Sequence, residues 1–304
     1  MEAKWLAVTA IAPVAWGSNY YVTREFLPAG HPLYGALFRA LPAGLLLLAI
    51  RPRRPARMWR LLVLGTLNVG AFFVLIYVAA QQLPTSLAST VMATSPVVMM
   101  LFAWLVLADP PRARHLTGAA LGIAGVALLL LTGVTGVSPA GVLASVAAMT
   151  MSSFGYVLAK KWGSERDVLS LTAWQLIAGA LVLLPVAAVV ETPPHLDGRA
   201  LLGFGYVTVV ATAVAFAAWF AGLRHLDAGT VGLVGLLNPV TGVLLGTVIA
   251  VEALSTRQVA GLALVLAGIV VPHVGRRRSR SYASRCGESI AEAGFSDDRA
   301  LRRG

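Results

Sequence analysis

Charge is scarce in this chain. Only 12% of its 304 residues are Asp, Glu, Lys or Arg, about half the share of a soluble globular protein. Cysteine is scarcer still: Cys286 stands alone. That rules out a disulfide within the chain, and no Cys/His cluster has metal-ligand spacing. A Walker-type glycine loop is missing, so there is no ATP motor of that kind. H-E-x-x-H and Gly-x-Ser-x-Gly are missing too, which removes two common hydrolase signatures. The 13 acids lie at the ends of apolar segments, in connections or in the tail, never in mid-segment. An intramembrane carboxylate is the usual proton relay, so its absence weakens a proton-driven mechanism. Neither a cofactor nor a metal is expected.

Apolar residues are plentiful instead, at 58%. They fall into ten segments, roughly 4–23, 32–50, 60–80, 84–107, 115–132, 138–159, 168–190, 200–222, 228–250 and 256–275. About 20 apolar residues span a bilayer as a helix. A membrane barrel would show short alternating segments, so the expected fold is an all-α integral membrane protein. Met1 to Ala15 resembles a signal peptide, but the apolar run continues past Trp16 and lacks a small-x-small cleavage site.

The net charge of +11 does not point to nucleic acid. Its positive residues alternate by side. Sixteen, counting Lys4, Arg51–Arg60, Arg112, Arg114, Lys160, Lys161, Arg166, Arg224 and the arginines opening the tail, fall on one side. Three, Arg24, Arg199 and Arg257, fall on the other. The positive-inside rule then places both termini of this multi-pass chain in the cytoplasm.

The chain also repeats itself. Leu83–Gly125 shifted by 143 residues lands on Leu226–Gly268 without a gap. Only 11 of the 43 positions are identical, but they include Pro96 on Pro239, Arg114 on Arg257, Gly118 on Gly261 and Gly125 on Gly268. Asp109 meets Glu252. A shift of 136 takes Tyr20 onto Tyr156, Arg24 onto Lys160 and Arg39 onto Gln175. Four segments precede the loop of Asp109 and nine precede that of Glu252, so the copies face opposite ways. The expected architecture is ten helices as two inverted five-helix repeats, 1–133 and 138–275, followed by a disordered basic tail, 276–304.

Candidate site residues follow from depth. Pro96 and Pro239 each sit near mid-membrane, where each should free a carbonyl, at Met92 and Gly235. Paired breaks at that depth point to a transport site; a simple kink is the plainer account. Ser95 and Asn238 coincide at the matched position, which favours cavity lining. Asn68 at mid-depth suits a helix–helix hydrogen bond as well as a ligand contact. Tyr77 near the outer end fits an aromatic belt as well as a binding site. Arg39 lies roughly 10 Å inside its helix. A membrane arginine could grip a carboxylate, but bonding to free carbonyls has the edge, since the repeat tolerates Gln175 there. Segments five and ten carry Gly118-xxx-Gly122 and almost nothing polar. They suit packing within the chain, or else a homodimer.

Trp16-Gly17-Ser18-Asn19, Arg39, Asn238-Pro239, and Val251-Glu252-Ala253-Leu254 followed by Gln258, Gly261 and Gly268 together resemble the drug/metabolite transporter superfamily. Over residues 4–275 the chain is similar to its EamA type, with Asp109 where the first copy usually has glutamate. Its overall character and ring content resemble the YddG-like exporters of amino acids, aromatic ones included. The resemblance implies an exporter working by alternating access, its small-molecule substrate held at mid-depth between the halves. Trp16, Tyr20, Tyr77, Tyr156, Phe216 and Trp219 would offer ring faces. Ser95, Asn238 and Asn68 would offer hydrogen bonds, while Arg39, Pro96 and Pro239 would serve structure or gating. Phosphate carriers of the superfamily would want buried basic pairs, which this chain lacks. A membrane enzyme and a passive channel are the rivals from other classes.

Overall fold

The computed structural model describes residues 2–28, 30–53, 57–83, 91–130, 138–162, 167–250 and 255–272. Among them there is no strand. The apolar segments form ten helical spans: α1 Glu2–Phe26, α2 Pro32–Ile50, α3 from Met58 to Gln82, α4 Ser95–Leu107, α5 Ala113–Leu130, α6 Pro139–Trp162, α7 Val168–Val190, α8 from Gly198 to His225, α9 from Ala228 to Ala250, and α10 Thr256–Pro272. Glu252, Cys286 and the basic tail lie outside the described residues. Connections begin with recognisable caps. Asp167, Asp197 and Asp227 accept from the backbone N–H three residues on, opening α7, α8 and α9. Ser255 and Gln258 bond each other's backbone N–H in a capping box that opens α10.

Three helices are not continuous, and their irregularities repeat. α3 runs Met58–Gly65, widens into a π-helical turn at Thr66–Gly70, and resumes as Ala71–Gln82. α8 does the same: Gly198–Thr208, Val209–Val214, Ala215–His225. The two π turns begin 143 residues apart, at 66 and 209, which is the offset of the sequence repeat. α9 breaks between Ala228–Val234 and Leu237–Ala250. Ahead of α4 a turn at Ala93–Thr94 lies one residue from the matched position.

These breaks revise one expectation. The prolines do not kink a continuous helix. Each stands in the first turn of a new one, where a missing N–H costs nothing. The Gly235 carbonyl is therefore not freed; it accepts from the Asn238 N–H at 3.1 Å.

The repeats interlock. α1 packs on α8 and α9 of the other half, and α6 packs on α3 and α4. α2 and α7 pack along each other. Their ends are pinned: Glu191, after α7, accepts from the Leu33 and Tyr34 N–H groups at the start of α2. At the other end Ser170 and Trp174 of α7 both donate to the Arg53 carbonyl.

Helices α5 and α10 settle how their glycines are used. A Cβ on Gly118 would meet the Gly268 carbonyl, and one on Gly125 would meet that of Gly261. The reverse contacts hold as well. Because Gly118 matches Gly261 and Gly125 matches Gly268, this is the pattern of an isologous two-fold contact, made inside one chain. These glycine faces are thus used for packing within the chain, and the alternative, a homodimer, does not have them available. Only the lipid-facing sides remain, where Leu116, Val259 and Val270 are exposed.

Candidate functional site

A cavity of about 310 Å³ lies between the repeats, near the middle of several of the helices that line it. That is within the range of small-molecule sites. Its walls come from α1, α2, α3, α4, α6, α8 and α9, so both halves contribute. On α1, Trp16, Asn19 and Thr23 line it; their spacing of three and seven places them on one helix face. α6 supplies Ser152, Ser153 and Tyr156, and α8 supplies Phe216 and Trp219. The two helix breaks place Ser95 and Asn238 on the cavity wall, with Gly235 and Pro239.

The rings form a floor. Trp16 meets Phe216 at 5.3 Å and Trp219 at 5.2 Å between centroids, and Tyr156 meets Trp219 at 5.5 Å. Such spacings are those of favourable edge and tilted pairs. Beyond them the protein is filled by Phe220, Leu223 and Leu226, all buried. Lys160, in the last turn of α6, donates to the Leu223 and Leu226 carbonyls there. This caps the C-terminal end of α8, where a cation is favoured. The filled side is the one rich in arginine. The cavity instead extends toward the sparsely charged side, past Thr23 and Ile76.

Three polar atoms on these walls are buried without a hydrogen-bond partner: Asn19 Oδ1, Ser153 Oγ and Trp219 Nε1. Buried polar groups are nearly always satisfied. An acceptor, a hydroxyl and a donor left open around one cavity are what a polar solute or cavity water would engage.

Of the residues expected from sequence, Trp16, Ser95, Tyr156, Phe216, Trp219 and Asn238 share the cavity, with Arg39 and Pro239. Side-chain positions of Tyr20 and Tyr77 lie outside the described residues. Pro96 is not on the wall; it packs against Gly232 of α9. Asn68 is not on it either. Fully buried, it donates to Gln175 Oε1 at 2.9 Å. Arg39 donates to Thr212 Oγ1 at 3.0 Å and to the Ala211 carbonyl at 3.2 Å, and its guanidinium lies 4.7 Å from the Phe73 ring centre. Arg39 matches Gln175 in the repeat, and Ala211 matches Asn68. So each second helix of a repeat grips the π turn of the other repeat, once through an arginine and once through an amide pair. A π turn leaves carbonyls poorly matched to its own helix; Ala211 O also accepts from Trp16 Nε1 at 3.1 Å.

Sequence reasoning missed Asn19, Thr23, Phe72 and Met92 as wall residues. Asn19 was visible only as part of a motif. Its spacing from Trp16 is the signal that finds it.

Two interlocked inverted repeats of membrane-length helices around a shared cavity are a construction found in many secondary transporters. The profile of the EamA-like transporter family matches twice, at residues 3–131 and 139–272, and the chain belongs to that family. Protein PecM of Dickeya dadantii is 36% identical over 264 residues, covering 86% of this chain and 89% of PecM. A probable amino-acid metabolite efflux pump of Salmonella typhimurium is 28% identical, covering 88% and 94%. The uncharacterized inner membrane transporter YedA of Escherichia coli is also 28% identical, covering 86% and 88%. A solved crystal structure aligns with a TM-score of 0.78 at 23% identity, over 91% of this chain and 98% of the other; it shows the fold.

Proposed function

We infer that this carrier exports amino acids, aromatic ones included, or closely similar metabolites, across the inner membrane by alternating access. The three open polar atoms around a ring-floored cavity carry the reading. Rings take the apolar part of the solute, and Asn19, Ser153, Ser95 and Asn238 take its polar end. Several contacts of about 0.5–1.5 kcal/mol each give recognition without trapping a solute that must be released. The similarity to an efflux pump for amino-acid metabolites supports the same substrate class.

Arginine asymmetry supports cytoplasmic termini. In that orientation the ring floor and the Lys160 cap close the cytoplasmic side, and the cavity faces outward. Inward opening then requires the floor rings to separate from one another. No covalent chemistry is asked of any residue.

Counterflow in proteoliposomes tests the reading. Purified protein should exchange radiolabelled aromatic amino acid with saturation and be stimulated by unlabelled solute on the far side. Linear, unstimulated flux would indicate a channel. Conversion of the solute in detergent, where there is no barrier to cross, would indicate an enzyme.

A further inference from the structure

The described cavity walls contain one charged residue, Arg39, and no Asp, Glu, Lys or His. The whole sequence adds to this: no acidic residue falls in the middle of any span. Glu25, near the sparsely charged end of α1, is paired with Arg199 at 3.6 Å. A solute entering the cavity therefore meets a fixed guanidinium and finds no carboxylate on the wall.

We propose that this site selects by net charge: it accepts flat, ring-bearing solutes that are anionic, zwitterionic or neutral, and refuses monocations, with Arg39 as the residue that sets the rule. The proposal rests on the reading of the cavity as the transport site. It requires only that the wall hold a cation and lack an acid.

Two effects compete for a cation. The ring faces attract it. Against that stand the partial loss of its hydration among mostly apolar walls and the repulsion of a fixed like charge, which is stronger there than in bulk water. The rings act at short range and weakly, so exclusion wins. A carboxylate faces the reverse situation. Arg39 favours it, and the Trp219 N–H and the Ser153 hydroxyl, both without protein partners, can donate to it. The ammonium of a zwitterion has Asn19 Oδ1 as an acceptor, while its carboxylate offsets the guanidinium.

The repeat supplies the natural swap, since the position matched to Arg39 is Gln175. Four solutes with one indole ring separate charge from shape: indole-3-propionate, tryptophan, indole-3-propionamide and tryptamine. Counterflow of each is measured in proteoliposomes of the purified full chain. The first three should exchange, and tryptamine should be slower than the amide by on the order of tenfold or more. Arg39→Lys keeps the charge and should keep the exclusion. Arg39→Gln should admit tryptamine and slow indole-3-propionate.

Because Arg39 also holds α8, Asn19→Asp provides a second route that leaves those bonds intact. It places an acid on the wall and should likewise admit tryptamine. Wild-type protein that carries tryptamine as fast as the amide overturns the charge rule alone. Transport of none of the four removes the reading of the cavity as a ring-binding transport site, and the rule with it.

Discussion

Asn68 offers the sharpest test of how the halves hold together. Its side chain is 0% exposed, that of Gln175 is 1%, and the 2.9 Å bond between them crosses from one repeat to the other. Truncation to alanine removes the donor and leaves Gln175 Oε1 buried without its partner. Stranding a buried acceptor costs about 1–3 kcal/mol. Side-chain bonds between membrane helices have measured nearer 0.6 and at most about 1.7 kcal/mol. Asn68→Ala should therefore lose about 1–2 kcal/mol of stability, the low end applying because lipid-exposed unfolded states also find partners. Gln175→Ala should lose a similar amount, and the double mutant less than the sum, since no group is then stranded. Unfolding of the purified protein in detergent, followed by size-exclusion of the folded fraction, gives these differences. Surviving protein should keep its substrate affinity in liposomes, because neither residue is on the cavity wall. Intact stability with lowered affinity would refute this account and return Asn68 to the substrate site.

Further outcomes are expected from the cavity, the membrane topology and the α9 cap. Asn238→Ala should fold and transport about tenfold more slowly, as loss of one hydrogen bond of roughly 1–1.5 kcal/mol implies; Ser95→Ala should lose less, and undiminished transport in Asn238→Ala would place the solute elsewhere. A single cysteine introduced at His195 should react with an impermeant reagent in spheroplasts, and one at Ala56 should not; the opposite result inverts the orientation. Asp227, between α8 and α9, is partly buried, which raises its pKa, yet the Thr230 N–H and hydroxyl, His115 and Arg112 outweigh burial and hold it below the usual carboxylate value. A depressed folded pKa stabilises above the unfolded value and is lost as pH falls through the folded one. The stability gap between wild type and Asp227→Asn should thus be full at neutral pH and shrink below about pH 4.

Depth and symmetry were legible in the sequence because both leave one-dimensional marks. Apolar length gives the spans, and paired prolines and glycines give the repeat. Six ring and polar candidates reach one cavity for the same reason: they sit at the same depth on helices that the repeat brings together. Rotation about each helix axis was not legible. Asn68 has the right depth and the wrong face, because the π turn at Thr66–Gly70 shifts the register of everything around it. No residue type announces a π turn, and only comparison of two folded halves reveals that it recurs at Val209–Val214. Pro96 and Pro239 show the same limit. Their places in the repeat are alike, yet Pro239 lines the cavity and Pro96 packs on Gly232.

That difference bears on how an inverted pair can work as a carrier. Two identical halves would be satisfied equally in either direction. Here the backbone frame is nearly symmetric, with paired π turns and paired breaks, while the side chains on it are not. Trp16 stands where the other half has Ser152, Asn19 where it has Gly155, and Arg39 where it has Gln175. Even the cross-repeat grips differ, since a guanidinium holds one π turn and a neutral amide pair holds the other. On the proposed alternating-access reading, the symmetric frame supplies two related packings, and the unequal side chains set their relative stability. The floor of Trp16, Phe216, Trp219 and Tyr156 can form on one side only, because Ser152 cannot take the part of Trp16 on the other. A solute that inserts its ring among those four thus acts on a contact that is not duplicated. By that argument, ring-bearing solutes should shift the carrier between its packings more strongly than aliphatic ones of equal volume. Trp16→Ser, the exchange the repeat itself suggests, should reduce that preference.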